Sequence, residues 1–304
     1  MRHLLSLSDL GKEGLLKLLD SADAFKNTRE RGEHPRPLHG RSVALVFEKA
    51  STRTRLSLEV AVVELGGHPV VITSAGSQIA RGEPIRDTAR VLSRMAHAIA
   101  FRTSGAERLH DMVKYSAVPV LNALTDQSHP MQLMADLQTV RSRFGKLDGL
   151  KYSWIGDGNN MAYSWIEAAG LLGLDLTLAC PQGYQPSPRD IENARRLGGN
   201  VRLVTDPRAA VQGAHVISTD VFTSMGQESE QAARLGAFSG YTLNQELLKS
   251  ASPDHIVLHC LPAHRGEEIE DDVIEGAHSA VWEQAEARLH TSKAALVWAV
   301  SADG

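Results

Sequence analysis

Residues 42–55 read SVALVFEKASTRTR. A run that is almost wholly apolar gives way at once to a lysine, two arginines and three hydroxyls. A short unbroken apolar run bounded by polar residues marks a strand buried on both faces, the kind found in parallel sheets with helical crossovers. In RTRLSLEVAVVELGG (53–67) apolar residues then recur at helical spacing, and Gly66 and Gly67 offer the left-handed stop that ends a helix. The stretch therefore predicts strand, polar loop and helix in that order. It places the arginines where the strand ends and the helix begins.

Working outward, the same unit recurs. Further strand candidates in the first half are PVVIT (69–73), HAIAF (97–101) and VPVLNA (118–123), separated by helical patterns. A helix, MQLMADLQTVRSRF, follows His129 and leads to the turn-like GKLDGL. The alternation restarts with KYSWIG (151–156), DLTLAC (175–180), NVRLVT (200–205), HVIST (215–219) and HIVLHC (255–260). This predicts an α/β chain with two doubly wound domains, each built on a central parallel sheet, and an active site in the cleft between them. The expected domains are 1–135 and 148–284, with a last helix (about 285–304) packing back on the first. Residues 1–28 read as a helix, and no internal repeat or low-complexity tract is visible.

Composition bounds the function. The 304 residues are 42% hydrophobic and 22% charged, ordinary for a chain with a sizeable core. A net charge of −4 excludes non-specific nucleic-acid binding, which needs a basic surface, but leaves room for a local anion pocket. No apolar run is long enough to span a bilayer, and MRHLLSLSDLGKEG turns polar too early for a signal peptide. Cys180 and Cys260 form no CxxC pair. The expectation is a soluble cytoplasmic protein without membrane or nucleic-acid partners.

In parallel α/β sheets ligands bind beyond the carboxyl ends of strands. The unusual polar residues fall there: Ser51-Thr52-Arg53-Thr54-Arg55, Arg102, His129 with Gln132, Asp157-Gly158-Asn159-Asn160, Asp220, and His259-Cys260-Leu261-Pro262. Ser51 is the expected N-cap, which would aim the following N–H groups and the positive end of the helix dipole at an anion. Arg53 adds a guanidinium fork, while Arg55 is expected to pair with Glu59 one turn on. Taken singly, each cluster also fits a solvated turn. Taken together, they suit a phosphate held by Arg53 and a carbonyl polarised by Arg102, His129 and Thr54. IGDGNNM resembles the opening of a dinucleotide fold, but Met161 replaces its third glycine and no acid closes the next strand. His259 and Cys260, adjacent in a strand, point to opposite faces and make a poor nucleophilic dyad. A metal held by His259, Cys260 and His264 fits no familiar zinc spacing, so no metal is expected.

STRTR (51–55), HPMQ (129–132), DGNN (157–160), DVFTSMGQE (220–228) and HCLPAHRGEE (259–268), in that order, resemble the aspartate/ornithine carbamoyltransferase family. The resemblance runs from Phe47 to about Val300. STRTR and HPxQ indicate the reaction; Asp220 with Ser224-Met225-Gly226, and HCLP, indicate the branch that uses ornithine. The resemblance implies that Ser51, Thr52, Arg53, Thr54, Gln78, Arg102, His129 and Gln132 bind carbamoyl phosphate. Cys260, Leu261 and Arg288 would line the reacting centre, with Arg102, His129 and Cys260 in catalytic roles. Asn160, Asp220, Ser224 and Met225 would hold L-ornithine. It also implies a cofactor-free homotrimer serving arginine biosynthesis. Leu58, Met131 and Val221-Phe222 depart from the family's usual phenylalanine, cysteine and Thr-Trp. Other acceptors (putrescine, aspartate, a modified ornithine) and a non-catalytic anion- or amino-acid-binding protein are the alternatives.

Overall fold

The structure, a computed structural model, describes residues 1–224 and 226–301; Met225 lies outside the described residues. Its strands are β1 (Ser42–Phe47), β2 (His68–Thr73), β3 (Ala98–Arg102), β4 (Val120–Leu124), β5 (Lys151–Ile155), β6 (Asp175–Ala179), β7 (Asn200–Val204), β8 (Val216–Thr219) and β9 (Ile256–His259). The helices of the first half are α1 (Gly11–Glu30), α2 (Arg53–Glu64), α3 (Ile85–Met95), α4 (Ala106–Tyr115) and α5 (Pro130–Phe144). The second half carries α6 (Asn160–Leu172), α7 (Pro188–Arg196), α8 (Pro207–Val211), α9 (Gln231–Ala237), α10 (Gln245–Leu248), α11 (Asp271–Ile274) and α12 (Val281–Val300). The chain forms two compact units, Met1–Gln138 with Glu286–Gly304, and Thr139–Ala285.

The first unit holds a four-stranded parallel sheet in the order β2-β1-β3-β4. From Val43 to Phe47 every β1 residue is buried, as a strand covered on both faces requires. On one face Ala44, Val46, Ile99 and Phe101 pack with Ile85 and Ala89 of α3 and Leu109 and Met112 of α4. In α2 the helix stops where Gly66, at φ +80°, sends its N–H to Val63 and Gly67 sends its own to Val62. This pair of bonds is the Schellman closure, and the positive φ favours glycine.

The second unit holds a five-stranded parallel sheet, β7-β6-β5-β8-β9. Ile155, Ala179, Ile217 and Val257 pack there with Phe222, Phe238 and Tyr241. In each sheet the chain runs outward one way and then returns to build the other side. The reversal lies between β1 and β3 in one sheet and between β5 and β8 in the other. Crevices at such switch points are where open α/β sheets take ligands.

The amino terminus differs from the expected helix over 1–28. The Leu4 N–H bonds Val120 and the Leu4 carbonyl accepts from Asn122, so this residue bridges the edge of β4. Such pairing needs extended backbone, and α1 starts only at Gly11. Among the described residues no helix is long and apolar enough to cross a membrane.

Candidate functional site

At the switch point of the first sheet, Phe47 and Arg102 are register partners, so the loop after β1 and the end of β3 emerge side by side. Arg102 Nη1 donates to Ser51 Oγ at 3.0 Å and to Thr54 Oγ1 at 3.5 Å. Arg288, from α12, donates through Nη2 to the same Thr54 hydroxyl at 3.0 Å and through Nη1 to Gln132 Oε1. The Gln132 amide is fixed from its other side, since Nε2 donates to Asp136 Oδ1 at 2.8 Å. Two guanidiniums thus converge on one buried hydroxyl and concentrate positive charge beside it. Both face His129, whose carbonyl starts α5 by accepting from Gln132 and Leu133. Burial, then Arg288, then Arg102 push the His129 imidazole well below its usual pKa, so it is neutral near pH 7.

The expected cap is corrected. Thr52, not Ser51, occupies the N-cap of α2, and no side chain caps this end. The Ser51 hydroxyl accepts from Arg102 instead. The first N–H groups of α2 are therefore left to an external acceptor, which suits an anion better than a capped end would. Arg53 opens the helix half-buried, and Arg55 turns away to Glu59 at 3.3 Å. Gln132 is buried, so the solvent-facing alternative for it fails. Gln78 and Thr52 are exposed and, among the described residues, their side chains join none of these hydrogen bonds.

At the switch point of the second sheet the chemistry inverts. Asp220, just past β8, is buried; its Oδ1 takes the Cys260 thiol at 3.0 Å and the Val221 N–H at 2.8 Å. Asn159 Nδ2 reaches Asp220 Oδ2 at 3.0 Å. The Asn159 side chain also caps α6 through Met161 N and Ala162 N, so one residue starts the helix and anchors the acid. Asn160, the first helical residue, is half-buried beside it. Asn159 is expected from the sequence only as part of the strand-end cluster 157–160, with no role of its own, although an Asn directly before a helical pattern is itself a cap signal.

Gly158 has a separate reason. A Cβ there would lie 2.5 Å from the Pro186 N and 2.8 Å from the Tyr184 carbonyl oxygen, so chain packing by itself requires the glycine. Asp157 pairs with Arg234 at 2.8 Å, and that guanidinium also bonds the Phe222 carbonyl and covers the Tyr184 ring. Arg234 thereby ties α9 to the end of β5. A lone arginine in a polar helix gave no hint of this. The Ser224 carbonyl accepts from the Gln227 N–H at 3.0 Å.

His259 and Cys260 do part, as strand alternation requires. His259 Nε2 meets Glu268 at 2.9 Å and its Nδ1 accepts the Leu261 N–H at 2.8 Å, occupying both ring nitrogens. The Glu268 oxygen also takes the His264 N–H at 2.7 Å. His259, Glu268 and the His264 N–H thus brace the loop that presents Cys260 and Leu261. Leu261 has a left-handed φ of 58° and precedes a cis proline, with its amide held by the histidine. Cys260 is half-buried, whereas burial pushes the Cys180 thiol up to about 12.

Two family models cover nearly the whole chain: the aspartate/ornithine carbamoyltransferase carbamoyl-P binding domain over residues 2–142, and the Asp/Orn binding domain over 148–299. The chain belongs to the aspartate/ornithine carbamoyltransferase family.

Among relatives in this carbamoyltransferase family, the ornithine carbamoyltransferase of Pelobacter propionicus is 53% identical over 296 residues, covering 97% of both chains. That of Acidothermus cellulolyticus is 53% identical over 309 residues, covering 100% of this chain and 98% of its own. The solved ornithine carbamoyltransferase of Pyrococcus furiosus superposes with a TM-score of 0.94 at 44% identity, covering 100% of this chain and 98% of its own. Three of the residues that depart from the usual carbamoyltransferase motifs, Leu58, Met131 and Phe222, are packing positions. Leu58 and Met131 are buried, and Phe222 stacks on Phe238 at 4.6 Å between centroids.

Proposed function

We propose that the protein is an ornithine carbamoyltransferase, moving the carbamoyl group of carbamoyl phosphate to the side-chain amine of L-ornithine and releasing L-citrulline and phosphate. The convergence of Arg102 and Arg288 on Thr54, beside neutral His129 and the uncapped start of α2, is the observation that carries it. Arg53, Ser51, Thr52 and the α2 N–H groups bind the phosphoryl oxygens. Arg102, Thr54 and His129 donate to the carbamoyl oxygen, with Gln132 and Arg288 completing the cradle. A neutral imidazole still has one N–H to give.

Asp220 takes the α-ammonium of ornithine, with Asn160, Ser224 and Met225 around the amino-acid end. The neutral side-chain amine attacks the carbamoyl carbon. A C–N bond forms as negative charge gathers on the carbonyl oxygen, and the C–O bond then breaks with its electron pair leaving on phosphate. The amine's surplus proton goes to that phosphate, so no protein base is needed. Cys260 and Leu261 line the centre, and the thiol forms no covalent bond. Keeping the amine neutral at pH 7 costs about 4–5 kcal/mol, given an amine pKa near 10.4.

The family resemblance supports a homotrimer, and supports Gln78 as part of the carbamoyl phosphate site with Arg102, His129 and Gln132. Exposed Leu56 and Val63, seven residues apart on one face of α2, supply apolar surface for such contacts. The family resemblance also supports a cytoplasmic role in arginine biosynthesis. The test offers carbamoyl phosphate with ornithine, putrescine or aspartate and measures ureido product and phosphate. Ornithine is the acceptor expected to give both. Ligand binding without phosphate release would leave a binding protein instead, and sedimentation reads the trimer.

A further inference from the structure

Lys293 lies five residues past Arg288 on α12 and is only 3% exposed. A buried ammonium needs a partner, and Lys293 Nζ meets Glu64 Oε2. Phe25 of α1 offers its ring at 5.9 Å. Glu64, the last residue of α2, accepts through Oε1 from Arg29 of α1 at 3.2 Å. One carboxylate therefore gathers α1, α2 and α12. Burial works against its ionisation, but the hydrogen bonds from Lys293 and Arg29 prevail and hold the carboxyl below its usual range.

Polar side chains join α2 to α12 at both ends of α2. In the first turn Thr54 takes Arg288, and in the last turn Glu64 takes Lys293. Moving α12 by one residue would shift it about 1.5 Å and turn it about 100°. The Lys293 ammonium would then lose Glu64 in an interior with little water. We propose that Glu64 and Lys293 are positioning residues for carbamoyl phosphate: their ion pair sets the rotation and axial register of α12, and so aims Arg288 at Thr54 and Gln132. The inference rests on the reading that Arg288 meets carbamoyl phosphate.

The test is steady-state kinetics with thermal melts on the full chain. Glu64→Gln is expected to raise KM for carbamoyl phosphate about tenfold and leave KM for ornithine within about twofold. A charge-free pair, Glu64→Met with Lys293→Met, should recover much of the lost Tm, because apolar side chains replace a buried ion pair well. Its carbamoyl phosphate KM should stay raised, and it carries the test if Glu64→Gln does not fold. In an Arg288→Lys background Glu64→Gln should add nothing further, since both changes act through one guanidinium. Additive effects, or equal changes in both KM values, overturn the proposal. If Arg288→Lys leaves carbamoyl phosphate KM unchanged, the reading of Arg288 falls, and the inference with it. If Arg288→Lys raises that KM but the Glu64 variants do not, only the positioning role falls.

Discussion

The two sheets end in opposite chemistry. Beyond β1 and β3 stand Arg53, Arg102 and Arg288 with an uncapped helix start; beyond β5 and β8 stand two carboxylates, Asp157, paired with Arg234, and Asp220, steadied by an amide, a thiol and a backbone N–H. The arrangement of strands is the same in kind at both places: each polar group sits where the chain reverses its direction of growth. What differs is the sign of the charge the site lacks. The first unit is short of negative charge and suits a dianion; the second is short of positive charge and suits an ammonium. A shared architecture thus supplies the place, and a few side chains decide what enters it.

The strongest way to break this contrast is to remove a cation from the first site. Arg102→Met is expected to lower kcat about 10²–10³-fold, the usual loss when a preorganised donor to a developing oxyanion is removed. A drop of less than about fivefold would mean Arg102 is structural, bracing Ser51 and Thr54 and nothing more. The next effect belongs to the substrate. With a side-chain amine pKa near 10.4, the neutral fraction rises about 100-fold between pH 7 and 9. Apparent KM for ornithine should fall across that range toward this limit, while KM for carbamoyl phosphate stays nearly flat. A flat ornithine profile would show that the enzyme does not select the neutral amine.

Asp220→Asn sharpens the contrast from the second unit. Losing a charged hydrogen bond worth about 1.5–3 kcal/mol should raise KM for ornithine roughly 10–100-fold and leave carbamoyl phosphate binding intact. Equal losses for both ligands, measured beside the Tm, would point to a damaged fold.

Much of this is legible in the sequence. SVALVF announced a buried parallel strand because no polar residue follows Ser42 in it, KYSWIG did so despite Ser153, and the arginines could be placed at strand ends by order alone. The details that escaped concern which neighbour a polar side chain chooses. Ser51 has the chemistry of an N-cap, yet a guanidinium from β3, far along the chain, takes its hydroxyl. Asn159 and Asn160 are indistinguishable by type, and only the helix start shows that Asn159 holds Asp220. Nothing in the sequence sets Lys293 and Glu64 apart from ordinary surface charges; burial by elements far apart in sequence makes them a pair. Periodicity reports local burial, whereas these choices depend on contacts between distant segments.

Histidines give the last and smallest test, and they separate the two units again. Burial lowers the pKa of His129 in the first unit and of His255 in the second. The secondary causes differ: Arg288 and Arg102 act on His129, whereas the stacked ring of His278, 4.0 Å away between centroids, opposes the backbone bond that His255 makes to Ser252. For a histidine whose folded pKa lies below 6.5, the unfolded chain binds the proton first. Its contribution is therefore intact above about pH 6.5 and is lost as pH falls below that value, by up to about 1.4 kcal/mol per pH unit for each histidine. Urea unfolding between pH 7 and 5 should show that decline, and His129→Gln and His255→Gln should each flatten it. Carbamoyl phosphate should flatten it too, but only where His129 is present, because a bound dianion offsets the two arginines that help keep that ring unprotonated. If the ligand protects both variants from acid equally, the cationic character of the first site does not reach His129.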